Sequence, residues 1–398
     1  MKKFFAILAA VAVLGLAMPV LAADAPGANV VVGGRMLTDF GYHKMSKELT
    51  SNKKEDVTSA FVNVAGHSYL NAKFTSADKS TGGFIELGLS SKVGNQEGVS
   101  LRYAYGWWKV GNCRLVAGQD DGWIGTLKHA PKQYLGLSEG AKLLMSNWGY
   151  IYSGRHPQVR FEWMKDNLGF SLAVVQPMAE LTPQQSGGVV TGSQAIPGTV
   201  DLYANLPRFD LAAQFTFGGL WVGPGIGWAQ YKGEGITSGG DDTITSWIGV
   251  LPVKFTAGPF TAKAEVHWGQ NNEYEWNGVN SSLRSLPRSV VYVKRDGKIE
   301  DTKNVGGFLA LEYKLTTDLE VTAGYGIEKL NNDAWKKDAG YKNDDYTRQA
   351  YFIAFPYTVT KNFSIHPEFN YWNFGDSVVN NSDMGNEWML GLQFRFVF

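Results

Sequence analysis

From Trp388 to Phe398 the chain alternates with a period of two. Trp388, Leu390, Leu392, Phe394, Phe396 and Phe398 fall on one side of an extended strand; Met389, Gly391, Gln393, Arg395 and Val397 fall on the other. Successive strand side chains point to opposite faces, so one face is wholly apolar or aromatic while the other holds an amide and a guanidinium. The same split recurs at 209–217, where Phe209, Leu211, Ala213, Phe215 and Phe217 oppose Asp210, Ala212, Gln214 and Thr216. It recurs again at 159–163, 260–268, 309–315 and 363–371. A soluble sandwich alternates too, with its apolar face inward. Here the other face carries Gly, Ala and Thr beside opposite charges, which suits a wet and crowded interior. A cationic side chain facing lipid at mid-membrane costs about 2–4 kcal/mol, which sends Arg102, Arg114, Arg160, Lys263 and Lys314 to that interior.

The N-terminus adds a second constraint. Lys2 and Lys3 precede an apolar run from Phe4 to about Val20, and Val20-Leu21-Ala22 is followed by Ala23 and Asp24. A basic start, an apolar stretch and small residues make a secretory signal peptide, 1–22, cleaved after Ala22 or after Ala23. An uncleaved anchor helix is the competing reading. Beyond residue 23 no apolar run approaches the roughly 20 residues of a spanning helix, so the mature chain, 23–398, is either a secreted β protein or a membrane β-barrel. The 37 basic and 37 acidic residues cancel, and no net field draws the chain to nucleic acid. Glycine is abundant at 47 residues, and 13 Trp, 18 Tyr and 22 Phe supply aromatic girdles. Cys113 is the single cysteine, which excludes an intrachain disulfide and a thiolate cluster.

The connections organise these segments. Sixteen strands are expected, starting near 29, 68, 82, 99, 113, 157, 168, 207, 221, 244, 259, 304, 319, 347, 362 and 387. Links after odd strands are long, among them 44–67, 121–156 and 271–303; links after even strands are tight turns such as Gly111-Asn112, Asp166-Asn167, Gly218-Gly219 and Ala257-Gly258. Long external loops alternating with short periplasmic turns mark an outer-membrane barrel. The expected fold class is all-β: a closed antiparallel transmembrane barrel.

On these residues the chain resembles the sixteen-stranded trimeric porins of Gram-negative outer membranes. The terminal strand ending in Phe398, the long third loop at 121–156 and the stretch Gly34-Arg-Met-Leu-Thr-Asp-Phe-Gly-Tyr42 carry the likeness. The resemblance implies an outer-membrane homotrimer whose third loop narrows the channel. It also implies an assembly signal at Phe394, Phe396 and Phe398 read by the barrel-assembly machinery, with outer-membrane lipids and lipopolysaccharide as surroundings. It implies a transverse field at the eyelet, with acids on the third loop and cations on the wall. The loop region offers Asp120, Asp121 and Glu139, with Lys128, His129, Lys132 and Lys142 also on it; the wall offers Arg35, Lys73, Arg102, Arg114 and Arg160. Each of these could equally be an ordinary paired charge of a wet lumen.

Other constellations have plainer readings. Trp108, Tyr134, Trp148, Tyr150 and Tyr152 could stack sugars, but girdle and loop packing explain them. Glu265/His267 and His366/Glu368 each share one strand face and read as lumen hydrogen bonds rather than metal sites. Gly223, Gly225 and Gly227 mimic a nucleotide fingerprint but continue a strand. Asp120-Asp121-Gly122 alone is weak evidence for calcium. No nucleophile elbow or zinc-protease motif is present, and no cofactor is implied. The expected function is passive diffusion of small hydrophilic solutes through a water-filled channel. The alternatives are a phospholipase-like barrel enzyme and a structural or adhesive barrel, whose mark is a plugged lumen.

Overall fold

The computed structural model describes residues 27–49, 55–91, 98–124, 127–135, 145–146, 148–178, 184–185, 201–204, 206–237, 240–276, 287–294 and 298–398. The expected signal segment 1–22 and Glu139 lie outside them. The barrel wall is β1 (Asn29–Met45), β2 (Val57–Thr75), β3 (Thr81–Ser91), β4 (Gly98–Val110), β5 (Cys113–Asp121), β6 (Arg155–Lys165), β7 (Leu168–Val175) and β8 (Arg208–Phe217). It continues with β9 (Leu220–Val222, then Gly225–Thr237), β10 (Gly240–Ala257), β11 (Phe260–Gln270), β12 (Lys303–Lys314) and β13 (Glu320–Asn331). The last three are β14 (Asp345–Ala354, then Tyr357–Thr360), β15 (Phe363–Asn373) and β16 (Asn386–Val397). The breaks in β9 and β14 fall at Pro224 and Pro356, which cannot donate to the ladder.

Each strand pairs antiparallel with the next, and β16 returns to β1 with Arg35 opposite Val397 and Met45 opposite Glu387. Closure leaves no edge, so every ladder group can be satisfied without water. The turns at one end are tight because Gly111, Gly218 and Gly258 take φ of 56°, 54° and 54°, a conformation that costs glycine little. Outside the ring, Asp201–Ala204 pairs with β9, and Gln184–Gln185, Tyr292–Val293 and Ile299–Glu300 form a small separate sheet.

One boundary differs from the sequence expectation. β2 starts at Val57 and not near 68, because Val57–Val64 pairs with Thr38–Met45. A register shift between Arg35 and Thr38 interrupts the alternation across residues 65–68, and that hides the first half of the strand.

The alternation places the apolar faces outward. Leu211, Val266, Leu309 and Leu390 are each about half exposed on the barrel exterior (53, 54, 49 and 51%). Trp108, Phe217, Phe255, Tyr313 and Phe396 ring the short-turn end, and Tyr42, Trp268 and Tyr351 stand toward the other.

The interior is divided in a way the alternation does not reveal. Ile244, Ile248, Val250, Phe308 and Phe352 point inward and are buried. Loops that turn into the barrel cover them. Ile124 and Ile151 of the third loop, with Tyr274, Trp276, Val290 and Val291 of the 271–302 connection, pack on Ala212, Ala229, Tyr231, Ile244, Ile248 and Val250. Met145 and Tyr150 pack on Phe308, Ala310 and Phe352, while Leu135 and Trp148 pack on Ala350, Trp372 and Met389. The half of the lumen lined by β8–β16 is therefore largely dry. On the β1–β4 side Tyr69, Asn71, Phe84 and Tyr105 remain only partly buried and Lys73 is exposed.

The two faces should respond oppositely to a cation. Leu309→Arg, which puts charge into lipid at mid-strand, should destabilise the barrel by about 2–4 kcal/mol. Asn71→Arg, on the wet interior, should be nearly neutral. Urea unfolding midpoints in phospholipid vesicles check this, and equal losses would reverse the inside–outside assignment.

Candidate functional site

A chain segment lying inside a barrel has backbone N–H groups with no neighbouring strand to bond, and buried unsatisfied N–H groups are costly. The wall meets this need with carboxylates. Glu368 of β15 accepts the N–H groups of Tyr134 (2.6 Å) and Leu135 (3.1 Å) and the side-chain amide of Asn370 (2.6 Å). Glu265 of β11 accepts the Ile151 N–H at 2.7 Å and holds the His129 ring. Glu328 of β13 accepts the Gly149 N–H at 3.1 Å and also bonds Asn304 and His267. Side chains lock the same segment in place. Lys132 reaches Glu320 at 2.6 Å and Glu312 at 3.1 Å, Lys263 donates to the Ala130 carbonyl at 3.0 Å, and Gln393 donates to the Tyr134 carbonyl at 2.7 Å.

The contact is close enough to dictate residue type. A Cβ on Gly149, whose φ is +102°, would sit 2.0 Å from the Gly307 carbonyl oxygen. A Cβ on Gly326 would sit 1.9 Å from the carbonyl oxygen of Trp148. The third loop is thus pressed against the β11–β16 wall, backbone to backbone.

Among the described residues the expected wall cations do lie on wall strands, but the acids lie there too and not on the loop. The described loop contributes Lys128, His129 and Lys132; the wall contributes the acids. Asp120 and Asp121 close β5 and so belong to the wall. Asp120, Arg160, Glu162 and Arg114 form one network: Arg160 reaches Asp120 at 2.6 Å and Glu162 at 2.8 Å, and Arg114 reaches Glu162 at 2.6 Å. Arg102 pairs with Glu86 at 2.7 Å. Asp121 accepts from the hydroxyls of Tyr103 (2.5 Å) and Tyr152 (3.3 Å). Arg35 donates to the His67 carbonyl at 3.0 Å and lies 4.8 Å over the Tyr69 ring, and Lys73 lies 5.8 Å from the Trp107 ring centre. Among the described residues Arg35, Lys73 and Arg395 stand in no ion pair. Glu265 and His267 do share one face, 3.7 Å apart, as a lumen contact. Of the five aromatics singled out in the sequence, Trp108 points outward, Trp148 and Tyr150 are buried between loop and wall, and Tyr134 and Tyr152 are half-buried.

No family model matches the chain, and no curated protein matches it in sequence. Solved structures do. The outer membrane channel DcaP of Acinetobacter baumannii superposes with a TM-score of 0.69 at 18% identity, over 94% of this chain and 98% of that one. An anion-selective porin from Comamonas acidovorans gives 0.58 at 10%, over 93% and 100%. OmpT of Vibrio cholerae in its trimer form gives 0.54 at 13%, over 94% and 100%. The fold is that of the sixteen-stranded porins.

Within this barrel, alternation alone does not find Glu312, Glu328 or Phe308 as loop contacts. Their positions on the inward face are readable; the loop that meets them is not. A second inward connection, 271–302, is held by a compact network. Arg208 bonds Asp210 at 2.6 Å and the Glu275 carboxylate at 3.2 Å, and Glu275 accepts the Met178 N–H at 2.8 Å and the Tyr231 hydroxyl. Burial pushes the Glu275 carboxyl up to about 7 against the opposing pull of Arg208, which Asp210 shares.

Both networks can be tested. Glu368→Ala strands two loop N–H groups at about 1–3 kcal/mol each, so exchange of the Tyr134 and Leu135 amides should accelerate at least about tenfold; unchanged protection would show that the carboxylate does not hold the loop. Because the folded Glu275 carboxyl is raised above its unfolded value, its stabilisation is complete below about pH 4.5 and fades as pH rises through about 7. Protection of the Met178 amide should therefore fall between pH 5 and 8, and Glu275→Gln should flatten that profile.

Proposed function

We propose that this chain is an outer-membrane diffusion channel for small hydrophilic solutes, with its passage running along the β1–β5 wall. The observation that carries this reading is the asymmetry of the interior. The third loop is bonded to the β11–β16 wall, while side chains on the opposite wall keep accessible surface. Arg35, Lys73, Arg114 and Asp121, which keep accessible surface, line that passage, and buried Arg102, Arg160 and Asp120 form the paired layer behind them. Most of these charges are paired, which argues against strong ion selectivity; Arg35, Lys73 and Arg395 tip the balance mildly toward anions. The Comamonas porin of the same fold is anion-selective.

The chain works as a homotrimer, as the trimer form of the Vibrio protein suggests. It reaches the outer membrane after removal of residues 1–22. Its last strand, with Phe394, Phe396 and Phe398, is read by the assembly machinery, and the barrel sits among outer-membrane lipids and lipopolysaccharide. The dry packing of the β8–β16 half favours one further reading, a plugged structural barrel.

Purified protein in a planar bilayer separates the two. A channel gives discrete conductance steps and admits sugars and amino acids into liposomes; a silent barrel refutes the pore and supports the plug. In the conducting protein, Lys73→Glu should shift the reversal potential in a salt gradient toward cations. An unmoved potential would place Lys73 away from the ion path.

A further inference from the structure

Four aromatic rings form a ladder on the lumen face of β3 and β4. Phe84 lies 5.7 Å from both Tyr103 and Tyr105, Tyr103 lies 6.4 Å from Tyr105, and Tyr105 lies 6.1 Å from Trp107. Neighbouring side chains fix their inward direction. Trp107 packs over Gly82, where a Cβ would meet its ring at 2.0 Å, and Tyr103 bonds the lumenal Asp121. From Tyr103 to Trp107 the ladder spans about 14 Å at the usual strand rise. All four rings are only partly buried. Among the described residues the third loop is bonded to other strands and meets this face through the Tyr152 contact to Asp121.

Cations flank the rings. Lys73, itself exposed, sits 5.8 Å from the Trp107 ring at one end, and Arg155 sits 5.2 Å from Tyr103 at the other. Asp121 balances the Arg155 end. The Lys73 end has no ion-paired carboxylate among the described residues.

A wet pore has no structural need for four adjoining half-exposed rings, since their apolar faces gain nothing from contact with water. The arrangement does match a solute that has a flat or apolar ring face and one acidic group. The face lies against the ladder, and the carboxylate meets the Lys73 ammonium. We propose that this ladder is a binding track for cyclic carboxylic acids, either aromatic acids or uronic acids, which share this chemistry. The proposal rests on the channel reading, and binding measured apart from conduction keeps the two distinguishable.

The test uses the full-length protein in planar bilayers, with calorimetry on the detergent-solubilised protein beside it. Benzoate and glucuronate are the two arms; hexanoate supplies acid without a ring, and methyl glucoside a ring without an acid. At least one arm should block ion current saturably and bind in calorimetry, whereas both controls should need far higher concentrations. Block by benzoate alone assigns aromatic acids, and by glucuronate alone uronic acids. Trp107→Ala and Tyr105→Ala should each weaken the effective probe about tenfold, the loss expected for one or two ring contacts, with conductance in plain KCl retained. Lys73→Gln should weaken it several-fold. Equal block by hexanoate, or affinity unmoved by Trp107→Ala, overturns the track. If the barrel is silent in KCl yet binding remains sensitive to Trp107→Ala, the pore fails and the site stands.

Discussion

The interior depends on glutamates that accept hydrogen bonds from a loop backbone. A loop inside a barrel has neither water on all sides nor a strand partner, so its amide hydrogens must find acceptors on the wall. Glu265, Glu328 and Glu368 supply them on three strands, and each sits at an inward position of an alternating segment. Charge-assisted hydrogen bonds of this kind are about twice as strong as neutral ones. They also commit the negative charge of that wall to the loop, so little of it is left to act on a passing solute. The same bonds bear on where the opening lies, because among the described residues a loop held against β11–β16 leaves Lys73 exposed and Tyr69, Asn71 and Phe84 only partly buried on the opposite wall.

Burial of apolar surface then makes that choice hard to reverse. Trp148, Leu135, Met145 and Tyr150 would all have to leave inward-facing Phe308, Phe352, Trp372 and Met389 for the loop to move. Fully exposing one such side chain costs about 1.5–3 kcal/mol. Four together outweigh any single hydrogen bond in the set. The carboxylates set the position and the apolar contacts set the stiffness. A diffusion channel benefits from both, since a loop that swung across the opening would close it.

The outward half of this fold is legible in the sequence because lipid tolerates no ambiguity. Every segment with a clean period of two, such as Phe209–Phe217 or Leu309–Leu315, is a wall strand with its apolar face outside. The inward half is legible only where it is polar. Ile244, Ile248 and Val250 sit inside because loop residues cover them, and nothing in 240–257 announces a cover supplied by residues 124, 151, 274, 276, 290, 291 and 293. The eyelet polarity misleads for a similar reason. The acids at 120–121 look like loop residues in a linear reading, yet the β5–β6 ladder extends through Asp121 opposite Arg155. Glu265 and His366/Glu368 are visible as lumen-facing groups, but the bonds Glu265 and Glu368 make to loop N–H groups depend on a loop conformation no alternation encodes.

The aromatic ladder shows how one residue can invert such a reading. In 99–107 the residues Val99, Leu101, Tyr103, Tyr105 and Trp107 share a parity, and all look fit for lipid. The register breaks between Glu86 and Leu87, which pair with Tyr103 and Leu101 and leave Arg102 as the extra residue. A bulge of this kind puts two residues on one strand opposite one on its partner and re-aims the side chains beyond it. Val99 and Leu101 therefore stay outside (37 and 48% exposed), Trp108 replaces Trp107 as the lipid-facing indole, and the three aromatics turn inward. Arg102 makes the switch tolerable. It is the residue least able to face lipid, and its guanidinium finds Glu86 across the strand pair at 2.7 Å. A cation that must point inward, placed at the bulge, obliges the next rings along the strand to point inward as well. The charge that keeps the barrel wall wet thus also fixes the apolar surface that a ring-shaped solute can touch.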